Sequence, residues 1–192
     1  MDEAKKSKIV LVTGGARSGK STFAEELVAK SGKNIAYIAT SQIFDEEMRF
    51  RVKLHRERRP ADWQTFEAPF DAHVAIAEAA LHHDAILFDC ITLYLSNILC
   101  SLEAQELEQP EKIYQLTRQK IGLLLKAARK AAEQGTMVIF VTNEVGAGIV
   151  PENKLSRIYR DISGLANQQI AKEAAEVYAV IAGIPVNIKA FA

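Results

Sequence analysis

The apolar run Ile9-Val10-Leu11-Val12 leads through Thr13 into Gly14-Gly15-Ala16-Arg17-Ser18-Gly19-Lys20-Ser21, and a helix-compatible stretch follows to Lys30. A strand, a loop of the pattern G-x-x-x-x-G-K-[ST] and a helix in that order leave few architectures open. The strand must be buried in a sheet, the helix must pack back onto that sheet, and the loop must turn successive backbone N–H groups inward. Such a loop cradles phosphate oxygens, and the N-terminus of the next helix adds its positive end to the same charge. Lys20 is then placed to reach the β- and γ-phosphates of a nucleoside triphosphate, and Ser21 to hold Mg²⁺. Gly14, Gly15, Ala16, Arg17, Ser18, Gly19, Lys20 and Ser21 are therefore the first candidate nucleotide-binding residues.

Apolar runs of strand length recur at 9–12, 35–39, 85–88, 137–141, 177–182 and 186–188. Most lack polar alternation, the pattern of strands covered on both faces. Helical patterns lie between them at 20–30, 45–58, 71–82, 92–102, 110–134 and 154–173. This alternation predicts a mostly parallel α/β sheet of the P-loop NTPase type, flanked by helices. Only Gly183-Ile184-Pro185 separates the last two strands, too little for a parallel crossover, so they form an antiparallel hairpin at one edge. The stretch 103–110, rich in Glu and Gln, reads as a solvated connection.

With 192 residues, 48% of them hydrophobic, the chain can bury one sizeable core, and nothing in it resembles a linker. We expect a single nucleotide-binding catalytic domain over 9–192, preceded by a polar lead-in at 1–8. Lys plus Arg equals Asp plus Glu at 24 each, so no net field favours nucleic acid as a partner. Cys90 and Cys100 lack the spacing of zinc or redox pairs and sit among apolar neighbours, which predicts buried free thiols. Neither a secretory signal nor a membrane span is readable, and a cytoplasmic protein is expected.

Ala85-Ile86-Leu87-Phe88-Asp89 places a carboxylate at the C-terminal end of a buried strand, where an acid can bind Mg²⁺ or orient an attacking group. A second cluster lies between Arg49 and Arg59, with six Lys or Arg residues against one acid and His55 among them. A solvated basic helix would explain it. In a nucleotide-binding chain, however, arginines offer bidentate contacts to phosphates, and cationic neighbours keep an imidazole neutral and nucleophilic toward phosphorus. His73, His82 and His83 have no such surroundings and read as packing or helix C-terminal capping residues.

These blocks, together with Tyr37-Ile38-Ala39-Thr40-Ser41, Arg59-Pro60, Trp63 and Thr142-Asn143-Glu144-Val145-Gly146-Ala147-Gly148-Ile149-Val150-Pro151-Glu152-Asn153, carry a specific resemblance. It continues through Arg157, Arg160-Asp161, Gly164 and Asn167-Gln168. From Ile9 to Lys189 the chain resembles the bifunctional adenosylcobinamide kinase and adenosylcobinamide-phosphate guanylyltransferase family of cobalamin biosynthesis. The resemblance implies phosphorylation of the aminopropanol hydroxyl of adenosylcobinamide by ATP or GTP. It then implies GMP transfer from GTP through a histidine to adenosylcobinamide phosphate, giving adenosylcobinamide-GDP. Carried over by position, His55 is the guanylylated residue, with Lys20 and Asp89 as further catalytic groups. Nucleotide contacts fall on Gly14 to Ser21, Ala39, Thr40, Ser41, Arg56, Glu57, Arg58, Arg59, Glu67 and Asp89, and the Mg²⁺ ligands on Ser21 and Asp89. Glu67 has the acceptors that guanine N1–H and N2–H₂ require and adenine cannot satisfy. The resemblance also implies a ring-like homotrimer. Two other readings stay open on the residues alone: a plain small-molecule kinase using the phosphate loop and Asp89, and a nucleotide-controlled switch.

Overall fold

The computed structural model describes residues 9–42, 46, 49–50, 52–53, 57 and 59–191. Its elements are β1 (Ile9–Thr13), α1 (Lys20–Ala29), β2 (Ile35–Ala39), β3 (Gln64–Glu67), α2 (Ala72–Ala79), β4 (Ala85–Asp89), α3 (Ile91–Cys100) and α4 (Ala104–Leu107). There follow α5 (Pro110–Glu133), β5 (Met137–Val141), α6 (Lys154–Glu173), β6 (Glu176–Ile181), β7 (Ile184–Asn187) and a 3-10 turn at Ile188–Phe191. The strands form one sheet in the order β3-β2-β4-β5-β1-β6-β7, parallel throughout except for β7, which pairs antiparallel with β6.

The unbroken apolar runs occupy the middle of this sheet because both of its faces are covered. On one face Ile9, Leu11, Ala36, Ile38, Ile86, Phe88, Val138 and Phe140 pack against α2, α3, α5 and α6. On the other, Val10, Val12, Tyr37, Leu87, Ile139 and Val141 pack against α1 and Trp63. Alternate residues of each strand serve opposite layers, which is why no polar alternation marks them. Pro110 sits in the first turn of α5, where its missing N–H costs nothing. Asn153 caps α6 by accepting from Ser156 N at 3.1 Å.

The mostly parallel sheet and its antiparallel edge are as the sequence predicts, with differences at the periphery. β3 has no apolar run: Gln64, Thr65 and Glu67 are exposed, and the strand is held at the sheet edge by pairing with β2. The connection after α3 contains the short helix α4, begun by a capping box in which Glu103 and Glu106 satisfy each other's backbone N–H groups. The final hairpin turns at Ala182-Gly183, whose φ angles of 50° and 83° suit a tight two-residue turn, so Ile184 and Pro185 already belong to β7. Cys90 is buried as expected, but Cys100, at the last turn of α3, is exposed. His83 caps the end of α2, donating from Nδ1 to Ala79 O at 2.8 Å. The described members of the predicted helix at 45–58, Glu46, Arg49, Phe50, Val52, Lys53 and Glu57, are helical.

Candidate active site

Parallel pairing brings the carboxyl ends of the strands to one end of the sheet. The registers align Glu67 with Ala39, Ala39 with Asp89, Asp89 with Val141, and Val141 with Val12 in a single row across five strands. Four strand spacings separate Glu67 from the strand that feeds the phosphate loop, about 19 Å at the usual interstrand distance. That is the scale of an extended nucleoside triphosphate, with Asp89 midway.

Between β1 and α1 the loop is shaped by close approach. A Cβ on Gly14 would lie 2.5 Å from Ser18 Oγ and 2.6 Å from the carbonyl oxygen of Val180 in β6. Arg17 and Gly19 adopt positive φ angles of 59° and 91°, which turn the chain into the first residue of α1. The hairpin turn braces the same loop, with Gly183 N donating to Ser18 O at 2.8 Å. Lys20 is buried and donates from Nζ to Gly15 O at 3.0 Å, so its ammonium is folded back against the loop. Burial lowers its pKa, while the nearby Cys90 and Asp89 act in the opposite direction. Ser18 Oγ is buried and finds no hydrogen-bond partner among the described residues, an open donor inside the cradle. Gly15, Ala16 and Arg17 are exposed, and Ser21 is half-buried in the first turn of α1.

Asp89 is half-buried at the end of β4, and its Oδ2 accepts from the Tyr37 hydroxyl at 2.8 Å. Burial first, and then the Asp89 carboxylate, hold the Tyr37 phenol well above its ordinary pKa. The guanidinium carbon of Arg59 sits 3.8 Å from the centroid of the Tyr37 ring, and Arg59 also donates to Thr65 Oγ1 at 3.1 Å. Thr40 is fully buried: its hydroxyl accepts from Cys90 N at 2.8 Å and donates to Cys90 O at 2.9 Å, and its carbonyl accepts from Asn97 Nδ2 at 2.7 Å. Thr40 therefore fastens the end of β2 to the residue after Asp89. The Cys90 thiol is pushed up to about 11 by burial and is a neutral packing group.

Beyond β5, Asn143 donates to Thr92 Oγ1 at 3.0 Å, and Thr142 donates to Asn167 Oδ1 at 2.7 Å. Glu144 N donates to Gly14 O at 3.1 Å, so the 143–153 loop leaves the sheet against the phosphate loop.

The family described as cobinamide kinase / cobinamide phosphate guanyltransferase matches residues 10–188. The chain belongs to that family. It is 42% identical over 186 residues to the bifunctional adenosylcobalamin biosynthesis protein CobU of Salmonella typhimurium, covering 94% of this chain and 99% of the relative. Against the CobU protein of Escherichia coli the identity is 42% with the same coverage. The CobP protein of Pseudomonas aeruginosa is 39% identical, with 93% of this chain and 96% of the relative covered.

For this cobinamide kinase / cobinamide phosphate guanyltransferase family member, the row of strand ends gathers Gly14 to Ser21, Ala39, Thr40, Ser41, Glu67 and Asp89. Arg59 joins them through Tyr37. Glu57 is exposed on the helical segment, paired with Lys53 at 3.7 Å. His55, Arg56 and Arg58 lie outside the described residues. Sequence reasoning missed Tyr37, Asn97 and the Gly183 brace. Tyr37 stands in an apolar strand, where a tyrosine reads as packing, and its polar partner lies 52 residues away.

Proposed function

We propose that this protein phosphorylates the aminopropanol hydroxyl of adenosylcobinamide and then transfers GMP from GTP to the phosphate it has made. The observation that carries the reading is the row of strand ends, which offers a phosphate cradle at one end, Asp89 midway and Glu67 at the other. In the first reaction the substrate hydroxyl oxygen forms a bond to the γ-phosphorus, the bond to the nucleoside diphosphate breaks, and the hydroxyl proton leaves. Lys20, released from Gly15 O, neutralises charge developing on the transferred group, and the loop N–H groups hold the remaining oxygens.

In the second reaction a ring nitrogen of His55 attacks the α-phosphorus of GTP and pyrophosphate departs. A phosphate oxygen of adenosylcobinamide phosphate then displaces the histidine to give adenosylcobinamide-GDP. Splitting one displacement into two is the use of such a nucleophile. Arg56, Arg58 and Arg59 supply cations for the phosphates, and Glu67 accepts from guanine. In the chain, the segment bearing His55 joins β2 to β3, the strand that ends at Glu67.

Ser21 and Asp89 would hold Mg²⁺ together with phosphate oxygens. A hydroxyl and a carboxylate are the hard oxygen donors this ion takes, and Oδ1 of Asp89 makes no hydrogen bond among the described residues. The bound ion would neutralise charge on the phosphates. The reading includes residues 9–192 working as one catalytic unit, in the cytoplasm and as a homotrimer. No described helix is long and apolar enough to cross a membrane. The exposed apolar side chains of Ile181, Ile184, Val186, Ile188 and Phe191 along the β7 edge support self-association, and sedimentation velocity tests the stoichiometry.

The decisive experiment is the intact mass of the protein after incubation with Mg²⁺ and GTP, alongside His55→Ala. A GMP adduct on the unaltered protein, acid-labile, base-stable and absent from the variant, is expected. No adduct under conditions where GTP binds would overturn the guanylyl-transfer half and leave a plain kinase.

A further inference from the structure

Thr40 and Tyr37 both fix the end of β4, and they act on different parts of it. The reciprocal bonds between the Thr40 hydroxyl and the Cys90 backbone hold the main chain beside Asp89. Among the described residues the carboxylate is held by Tyr37, through the 2.8 Å bond to Oδ2. The Tyr37 ring cannot turn away. It is 4% exposed, packed with Val10, Val12, Leu87 and Trp63 on the α1 face of the sheet, and stacked under the Arg59 guanidinium.

Folding alone does not call for this bond. Asp89 is only half-buried, so water could solvate its carboxylate, and a phenylalanine would fill the same apolar space. What the hydroxyl adds is orientation: it selects one rotamer of a short side chain and leaves Oδ1 directed away from it. An acid whose orientation is set before the ligand arrives loses less freedom on binding.

We infer that Tyr37 is a positioning residue for the metal–nucleotide complex. Its hydroxyl sets the Asp89 carboxylate so that Oδ1 meets the phosphate-bound Mg²⁺, and its ring ties that setting, through Arg59, to the end of the segment that bears His55. The inference rests on the reading of Asp89 as the metal-binding acid.

The test compares the unaltered protein, Tyr37→Phe and Asp89→Asn by calorimetric titration with GTP carrying a methylene in place of its α–β bridging oxygen, which cannot release pyrophosphate, in EDTA and again in saturating Mg²⁺. The thermal midpoint and the Mg²⁺ dependence of the kinase rate are measured beside it. Phenylalanine keeps the ring, its packing and the Arg59 stack, so the midpoint and the EDTA affinity should match the unaltered protein. The gain in GTP affinity on adding Mg²⁺ should shrink roughly three- to tenfold, the cost of ordering one freed side chain on binding. Excess Mg²⁺ should restore most of the kinase rate of Tyr37→Phe and none of that of Asp89→Asn. If Asp89→Asn loses the Mg²⁺ gain and Tyr37→Phe keeps it, the inference about Tyr37 is wrong while the reading of Asp89 stands. If neither variant loses it, the reading of Asp89 fails and takes the inference with it. A parallel fall of both affinities in Tyr37→Phe, or a lowered thermal midpoint, would make the hydroxyl a structural group and overturn the inference.

Discussion

Gly14 and Gly15 are adjacent in the same loop, and alanine should be tolerated at one and not at the other. At Gly14 the added methyl would lie 2.5 Å from Ser18 Oγ and 2.6 Å from Val180 O. The serine can rotate away. The carbonyl cannot, because β6 is held by β1 on one side and β7 on the other, with Val180 aligned to Pro185. Relief must come from moving the loop or the strand, which overpacking measurements put at about 1–3 kcal/mol. In a chain of this length each kcal/mol moves the midpoint by about 2–4 °C, so Gly14→Ala should lower Tm by roughly 2–12 °C. At Gly15 nothing lies within 4 Å of the new methyl and φ is not positive. There the smaller entropy of the unfolded chain should leave Tm unchanged or raised by about 2 °C. The assay is differential scanning calorimetry of the free protein in EDTA, which removes any contribution from nucleotide. A Ser18→Gly change added to Gly14→Ala should recover only part of the loss, since the Val180 contact remains. Equal midpoints for the two alanine variants would refute the claim that β6 sets the shape of the loop.

Lys20→Met should abolish nucleotide binding yet raise the Tm of the free protein. Its ammonium is buried with one carbonyl partner among the described residues, and burial lowers its pKa from 10.5. Both folded and unfolded chains carry the charge below the lowered folded value, so the penalty is full at neutral pH. It fades as pH rises through that value toward 10.5. The advantage of methionine should fade over the same interval, and an advantage that grows with pH would contradict the argument. Tyr94 is fully buried in α3 and its hydroxyl finds no partner among the described residues; burial raises its pKa to about 12. Tyr94→Phe should therefore raise the melting midpoint by about 2–4 °C, the return of roughly 1 kcal/mol for an unpaired polar group. A lowered midpoint would mean that the hydroxyl is satisfied.

The central sheet was legible because β1, β2, β4 and β5 are buried on both faces and carry unbroken apolar runs. The phosphate loop was legible because its glycines and lysine have a required spacing. What escaped was stabilised by partners distant in the chain. β3 is an edge strand whose polar residues face water, so no hydrophobic pattern announces it. Tyr37 and Asp89 read separately as a core aromatic and a strand-end acid, and only the β2–β4 register brings them together. The resemblance implies a nucleotide contact at Thr40; what the sequence does not show is that its hydroxyl and carbonyl are engaged by Cys90 and Asn97, partners 50 and 57 residues away. Cys100 follows an apolar run but falls on the outer side of the last turn of α3, a matter of helical phase at a fraying end.

The hairpin that touches the phosphate loop also sets when that loop can exist. β1 precedes its sheet neighbours β5 and β6 in the chain, and Val180 and Gly183, which shape and brace the loop after it, come later still. A growing chain therefore carries the apolar run 9–12 without its β6 partner until residues 176–179 have been made, and such long-range pairing is slow to form. Until residue 183 is in place, nucleotide meets a loop that lacks the Gly183 N–H brace on Ser18 O. Binding energy at the loop therefore favours chains in which the hairpin has closed, and the ligand acts as a seal on that late step.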